Sequence, residues 1–201
     1  MMGKKVNKDY LSCNADGSEK FTPLVIGRSK KLRSFKNVKK LPCDYTNNKT
    51  AWMISHIFLG FFHKFDRKME KKKKRKVLLF MDSVSSHSQD LPTFNNTKVV
   101  FFPANCTSKI QPLNPSVICF VIVHYRKTSI RQLLAASETK CATKDELKQV
   151  TVLDAIHMLC SSWRSITEKC IKSCFQKAGF SFLAENECEE PENENDKNEE
   201  D

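Results

Sequence analysis

The 201-residue sequence has no apolar run that approaches a membrane span: the longest, Val77 to Met81 and Val117 to Val123, fall far short of the roughly 18 to 20 residues required. A hydrophobic transmembrane helix is therefore not expected. Met1 is followed by Lys4, Lys5 and Lys8 without an apolar stretch behind them, so no secretory signal is expected either, and the chain is read as staying inside the cell. No CxxC pair occurs. Nine cysteines are an odd number, and without an export signal they are read as reduced thiols rather than a disulfide framework. Cys170 and Cys174, four apart on a helical pattern, lack histidines at ligand spacing, which favours core packing over half a metal site. What is present, 40% hydrophobic residues over 201, suffices to fill one core, and two full domains are not expected.

Charge is distributed unevenly. Residues 185 to 201 carry ten acids and one lysine, whereas residues 1 to 184 hold 33 basic and 13 acidic side chains, a net charge of +20. A positive field of that size favours polyanions, so nucleic acid is the default partner class, with simple solubility as the alternative. The acidic tail has almost no apolar content and is expected to be disordered. It can serve as a solubilising tail, or fold back on the basic body and compete with DNA in a salt-dependent way.

Turn chemistry at Ala15-Asp16-Gly17-Ser18, between Asp9 to Asn14 and Lys20 to Ile26, predicts a β-hairpin, followed by a basic loop from Arg28 to Lys40 that closes at Pro42. From Lys49 to about Lys73, Ile54, Ile57, Phe58, Phe61, Phe62, Phe65 and Met69 recur at helical spacing, and Trp52 and Trp163 are read as core. The unbroken runs Val77 to Met81 and Lys98 to Phe102 predict strands covered on both faces and, given the length of their connection, parallel. Asn114-Pro115 reads as an N-cap and first helical position, with the helix continuing to about Ala136 and a strand as the alternative for Val117 to Val123. Asp145 to Ala178 predicts one or two helices, broken near Ser165 to Thr167 and stopped by Gly179.

An acid at the carboxyl end of a buried parallel strand emerges where open α/β sheets bind ligands, and Asp82 has that position, although such an aspartate is as often a turn former or a cap. Taken together, the strings that accompany it say more. Phe80-Met81-Asp82 with Ser86-His87, Val100 to Ser108, Gln111-Pro112-Leu113-Asn114 and His124-Tyr125-Arg126 resemble the DDE endonuclease domain of pogo-type transposases, the group of the Tigger elements, the jerky proteins and centromere protein B. The hairpin around Cys13 to Gly27 is similar to that family's second and third strands, and Leu153 to Phe180 to its closing helices.

The resemblance implies an α/β, ribonuclease-H-like (DDE transposase) core lacking its first strand, followed by C-terminal helices and the acidic tail, with residues 1–184 a partial endonuclease-like domain and 185–201 the tail. Active relatives use three carboxylates to hold two Mg²⁺ ions that bracket the phosphodiester oxygens. On this chain Asp82 matches the second acid and Asn114 stands at the third, while the first belongs on a strand before the hairpin. Asn114 keeps the capping function of an aspartate but not its charge. One unit charge at about 4 Å is worth around 4 kcal/mol at an effective dielectric of 20, and each 1.36 kcal/mol is tenfold in rate, so efficient cleavage is not expected. Asp16, in a turn, and Asp44, read as a loop residue, are rejected as substitutes.

Other features have two readings each. Lys71, Lys72, Lys73, Lys74, Arg75 and Lys76 form either a nuclear-localisation or phosphate-binding patch, or a solvated helix end. With the resemblance, a nuclear, largely sequence-independent DNA-binding protein without endonuclease activity is expected, needing no cofactor of its own. Residual Mg²⁺-dependent nuclease activity, and a protein-interaction module using the helical face from residue 145 onward, are the alternatives. Arg28 to Lys40, with Phe35 interleaved, offers phosphate contacts or is a flexible charged loop. His87 follows the aspartate in the resemblance, which implies that it orients a substrate phosphate; the alternative is that it satisfies a loop. In the family's sheet the absent strand is central, so the hairpin either closes on the Asp82 strand or leaves a gap, at a cost in unpaired backbone. Marginal stability follows: thermal unfolding is expected below about 65 °C, the upper end of the mesophile range, and calorimetry showing a higher transition would count against it.

Overall fold

A computed structural model describes residues 6–72, 75–82, 91–103, 111–138 and 151–180. Three strands come first: β1 (Val6–Tyr10), β2 (Leu24–Gly27) and β3 (Asp44–Asn47). β1 pairs antiparallel with β2, Tyr10 opposite Leu24, and an isolated bridge Cys13–Lys20 carries the hairpin toward its turn. There Asn14 Oδ1 accepts from the Glu19 N–H and Asp16 Oδ1 from the Ser18 N–H, both at 2.8 Å. Gly17 closes the turn at φ +82°, and its Cα lies so near the backbone of Glu168 that a Cβ would meet the carbonyl oxygen at 2.7 Å. β2 is buried throughout, because Leu24 and Ile26 face one layer and Val25 the other. β3, which the sequence reading missed, pairs parallel with β2, so Asp44 is a strand residue and not a loop residue.

Helix α1 (Ser55–Lys71) begins six residues later than the periodicity predicts. Asn48 is the reason: its Oδ1 accepts from the N–H groups of Thr50 (3.0 Å) and Trp52 (3.3 Å), and its amide donates to Trp52 O. This side-chain turn competes with helix over residues 48–52 and holds Ala51 at φ 57°. It also turns Trp52 outward, 48% exposed, which corrects its assignment to the core; Trp163, at 2%, is core. Phe58, Phe62, Phe65 and Met69, spaced four, three and four apart, form the buried stripe of α1.

β4 (Val77–Met81) and β5 (Thr97–Phe101) form a separate two-stranded parallel sheet, in the register Val77–Thr97 to Met81–Phe101. Leu79, Met81, Val99 and Phe101 pack on the same α1 cluster that covers Leu24 and Ile26, so one helix backs both sheets. No strand pair joins the two sheets among the described residues. The expectation that β4 is covered on both faces is corrected: on the face away from α1, Leu78 is 50% and Phe80 39% exposed.

The opposite layer is helical. A π-helical turn, Leu113–Val117, runs into α2 (Ile118–Glu138), followed by α3 (Val152–Ser165) and α4 (Glu168–Lys177). Asn114 is not the N-cap. Pro112 occupies that position with helical dihedrals (φ −63°, ψ −33°), and the closing bond of the turn runs from Ile118 N–H to Leu113 O, five residues back, which leaves the missing N–H of Pro115 in a turn where donors have no partner anyway. A Thr151–Asp154 capping box opens α3, and Thr167 Oγ1 caps α4 by accepting from Cys170 N–H, so the predicted break falls at Ile166-Thr167. Val117, Val121, Val152, Ile156, Trp163, Ile171, Cys174 and Phe175 pack against Val25 as the second core, and burial of each large apolar side chain is worth about 1.5–3 kcal/mol. Cys174 is buried there, as core packing required.

Gly179 (φ +88°) stops α4. Its N–H donates to Gln176 O (3.0 Å) and that of Phe180 to Phe175 O (3.0 Å), the paired bonds of a Schellman motif, and the Phe175 and Phe180 rings meet at 5.6 Å. The acidic tail, the segment 139–150 and His87 lie outside the described residues.

Hairpin and helices are joined by Lys20. Its ammonium donates to Trp163 O (3.2 Å), Arg164 O (2.7 Å) and Ile166 O (2.6 Å) at the negative end of α3, and lies 5.7 Å from the Trp163 ring centre, while Trp163 Nε1 donates to Phe21 O (3.0 Å). Replacing Lys20 by methionine, which keeps the stem and removes the donors, is expected to lower unfolding free energy by about 2 kcal/mol in urea titrations; a change near zero would show that the hairpin docks through apolar contact alone.

Candidate functional site

Asp82 follows β4 directly and is partly buried. The Phe102 N–H donates to Met81 O (2.8 Å), extending the β4–β5 ladder one step past β5, so Asp82 emerges at the carboxyl edge of the parallel pair. Asn114 lies in the π-helical turn that opens α2. Phe180 connects the two regions. Its ring meets Phe80 (5.3 Å) and Phe102 (6.5 Å) on the sheet and Phe175 on α4, and Phe175 belongs to the core that Leu113 and Val117 also enter. The side chain of Asn114, and residues 83–90 and 104–110 with Ser86, His87 and Asn105, lie outside the described residues.

Elsewhere five of the described acids are engaged in folding. Asp16 is held below the usual carboxylate range by hydrogen bonds from Ser18, and Asp44 pairs with Lys64 at 2.7 Å. Burial would raise the Asp66 carboxyl, but hydrogen bonds led by the Asn96 N–H (2.9 Å) outweigh it and leave the pKa lowered. Glu19 holds Lys72 and Arg75, and Asp154 sits in the capping box. Among the described residues no three His, Cys, Asp or Glu side chains gather as a metal site. Position 82 carries a carboxylate, and position 114 a neutral amide that supplies no anionic oxygen to a divalent ion.

The basic run also changes meaning. Lys71, Lys72, Arg75 and Lys76 are exposed, and Lys73 and Lys74 lie outside the described residues. Glu19, on the hairpin, bonds Lys72 and Arg75 (3.2 Å to Arg75 Nη1), and Lys76 Nζ donates to Asn95 O at 2.6 Å. Part of this patch therefore ties the hairpin to the start of β4.

The loop 28–40 is the stronger cationic surface. Arg28, Lys30, Lys31, Arg33, Lys36, Lys39 and Lys40 are all exposed, and the segment contains no acid. It is anchored, not loose. Leu32, Phe35 and Leu41 pack on the second core, and Phe35 meets Tyr45 edge-on at 5.0 Å. A 3-10 turn spans Arg33–Phe35, and the Tyr45 hydroxyl donates to Ser29 O (2.8 Å) across Gly27, where a Cβ would meet that oxygen at 2.0 Å. The alternation of lysines with Leu32, Phe35 and Leu41 was the signal: apolar residues at that spacing pin a loop whose other side chains face water.

Residues 8–175 match the model of the DDE superfamily endonuclease domain, and the chain belongs to that family. Among relatives it is 34% identical over 172 residues to the Tigger transposable element-derived protein 4 of Mus musculus, covering 85% of this chain and 32% of that protein. It is 31% identical over 170 residues to the major centromere autoantigen B of Homo sapiens (85% and 27%) and 32% identical over 182 residues to the CENP-B homolog protein 2 of Schizosaccharomyces pombe (85% and 34%). The chain thus spans about a third or less of the length of these relatives. No solved structure matches it. Among the described residues no helix is long and apolar enough to cross a membrane.

Proposed function

We propose that this chain is a transposase-derived domain that binds DNA through charge and does not cut it. The observation that carries this reading is the donor set: Asp82 stands at the strand end where the family places an acid, position 114 is an asparagine, and Asp16, Glu19, Asp44, Asp66 and Asp154 are committed to turns, ion pairs and caps. A ribonuclease-H-like core divided between the two sheets under one helix is the fold this reading takes. The Glu19–Arg75 contact brings the hairpin tip beside the start of β4, as that arrangement requires.

Binding is assigned first to the anchored loop Arg28 to Lys40 and second to the run Lys71 to Lys76. These cations contact phosphates without reading bases, so affinity follows salt and not sequence. The apolar faces of α3 and α4 are buried in the core, so a protein partner would have to use their polar sides. The relatives named for centromeres support a nuclear setting, with Lys71 to Lys76 as the import signal. A fluorescent fusion in which these six residues are alanine is expected to lose nuclear accumulation; retained accumulation would reject the signal.

Titration of a short duplex over a range of salt is expected to give a double-logarithmic slope of about −0.9 per neutralised phosphate, and Lys31→Ala to reduce that slope by about one. In the same preparation Mg²⁺ is expected to produce no nicking of supercoiled DNA above background. Nicking that requires Mg²⁺ and disappears in Asp82→Ala would reverse the conclusion, and salt-independent affinity would remove the electrostatic basis of binding.

A further inference from the structure

The face of β4–β5 turned away from α1 is apolar, partly exposed and flanked at its amino end by Lys76 and Lys98. Leu78 and Phe80 project from it at 50% and 39% exposure, and the register places Lys98 beside Leu78 and Val100 beside Phe80. Val77, Leu78 and Phe94 line a cleft of about 320 Å³ at its amino end, with Lys76 and Lys98 in the same wall. The described chain ends on this face. The Schellman turn at Gly179 lays Phe180 against Phe80 and Phe102, and the residues that follow are Ser181-Phe182-Leu183-Ala184 and then the segment 185–201, net −9.

We infer that residues 181–201 dock on this face of the protein's own sheet, with Phe182 covering Leu78 and the following glutamates meeting Lys98 and Lys76. Two pieces of geometry support this occupant. An extended chain advances about 3.3 Å per residue, so the two residues from Phe180 to Phe182 match the two from Phe80 back to Leu78. Beyond that point the sequence changes from apolar to acidic where the surface changes from apolar to basic. Lys76 is the last residue of the Lys71 to Lys76 run, so the docked segment is a polyanion placed at the edge of one of the two cationic surfaces assigned to DNA. In this role it rests on the proposed DNA binding; docking itself does not.

Zero-length carbodiimide crosslinking of the full chain, mapped by mass spectrometry, tests the docking directly. Glu185, Glu187 or Glu189 is expected to crosslink to Lys98 or Lys76 at low salt. The yield is expected to fall several-fold in the Phe182→Ser, Leu183→Ser double variant, which alters no described residue, and again in 1 M salt, where screening shortens to about 3 Å. Crosslinks spread evenly over distant lysines such as Lys30 and Lys31, or yields unaffected by the double variant, would overturn it. Ending the chain at Ala184 is expected to tighten binding to a short duplex on the order of tenfold at low salt, through the counterion effect. Unchanged affinity beside intact crosslinks would overturn the competition. If neither form binds the duplex, the DNA-binding reading fails, and the crosslink pattern still decides the docking.

Discussion

One lysine holds the two halves of this fold together. Lys20 leaves the β-hairpin and donates to three carbonyls at the open end of α3, where the helix presents oxygens that have no partner within it. Burial lowers the pKa of this amine, yet its charge is what the helix end attracts. Around this contact the other joints also link residues far apart in sequence. Gly17 seats the hairpin turn on Glu168, Trp163 returns a hydrogen bond to Phe21, and Glu19 reaches the other way to Lys72 and Arg75. Residues 17–21 therefore connect the helical layer, the first sheet and the approach to the second.

Much of this was legible from residue pattern. Parallel β4 and β5, the interruption between α3 and α4, the stop at Gly179 and the amphipathic α1 all follow from local periodicity and capping chemistry, which the tertiary fold did not override. The failures have local causes of a different kind. Asn48 starts a side-chain turn that an apolar-spacing argument does not see, and it shifts both the helix start and the placement of Trp52. Pro112 holds helical dihedrals one turn too early for Asn114 to act as a cap. β3 is short and half-polar, and it is a strand because Val25 and Ile26 offer it a ladder.

The candidate site was legible in its parts but not in its balance. Asp82 stands where a strand-end argument puts it, because an unbroken apolar run that ends in an acid leaves that acid at the end of the strand. Which cations face water freely could not be read from a count of lysines. Glu19 lies over fifty residues away from Lys72 and Arg75 in sequence, and only the hairpin's geometry brings them together. The loop 28–40 gained standing for the opposite reason, since Tyr45 and Phe35 fix it without engaging its charges.

The division of the strands into two sheets has a consequence for how the molecule behaves in company. Among the described residues, β4 pairs only with β5 and β1 only with β2, so each carries a row of backbone donors and acceptors without a strand partner there. Such rows are templates for lateral growth from molecule to molecule, and colloidal repulsion is the main brake when no strand caps them. Because the same surplus of lysine and arginine supplies that brake, mixing the protein with a polyanion neutralises it, and turbidity becomes a property of the mixing ratio and not of the protein alone.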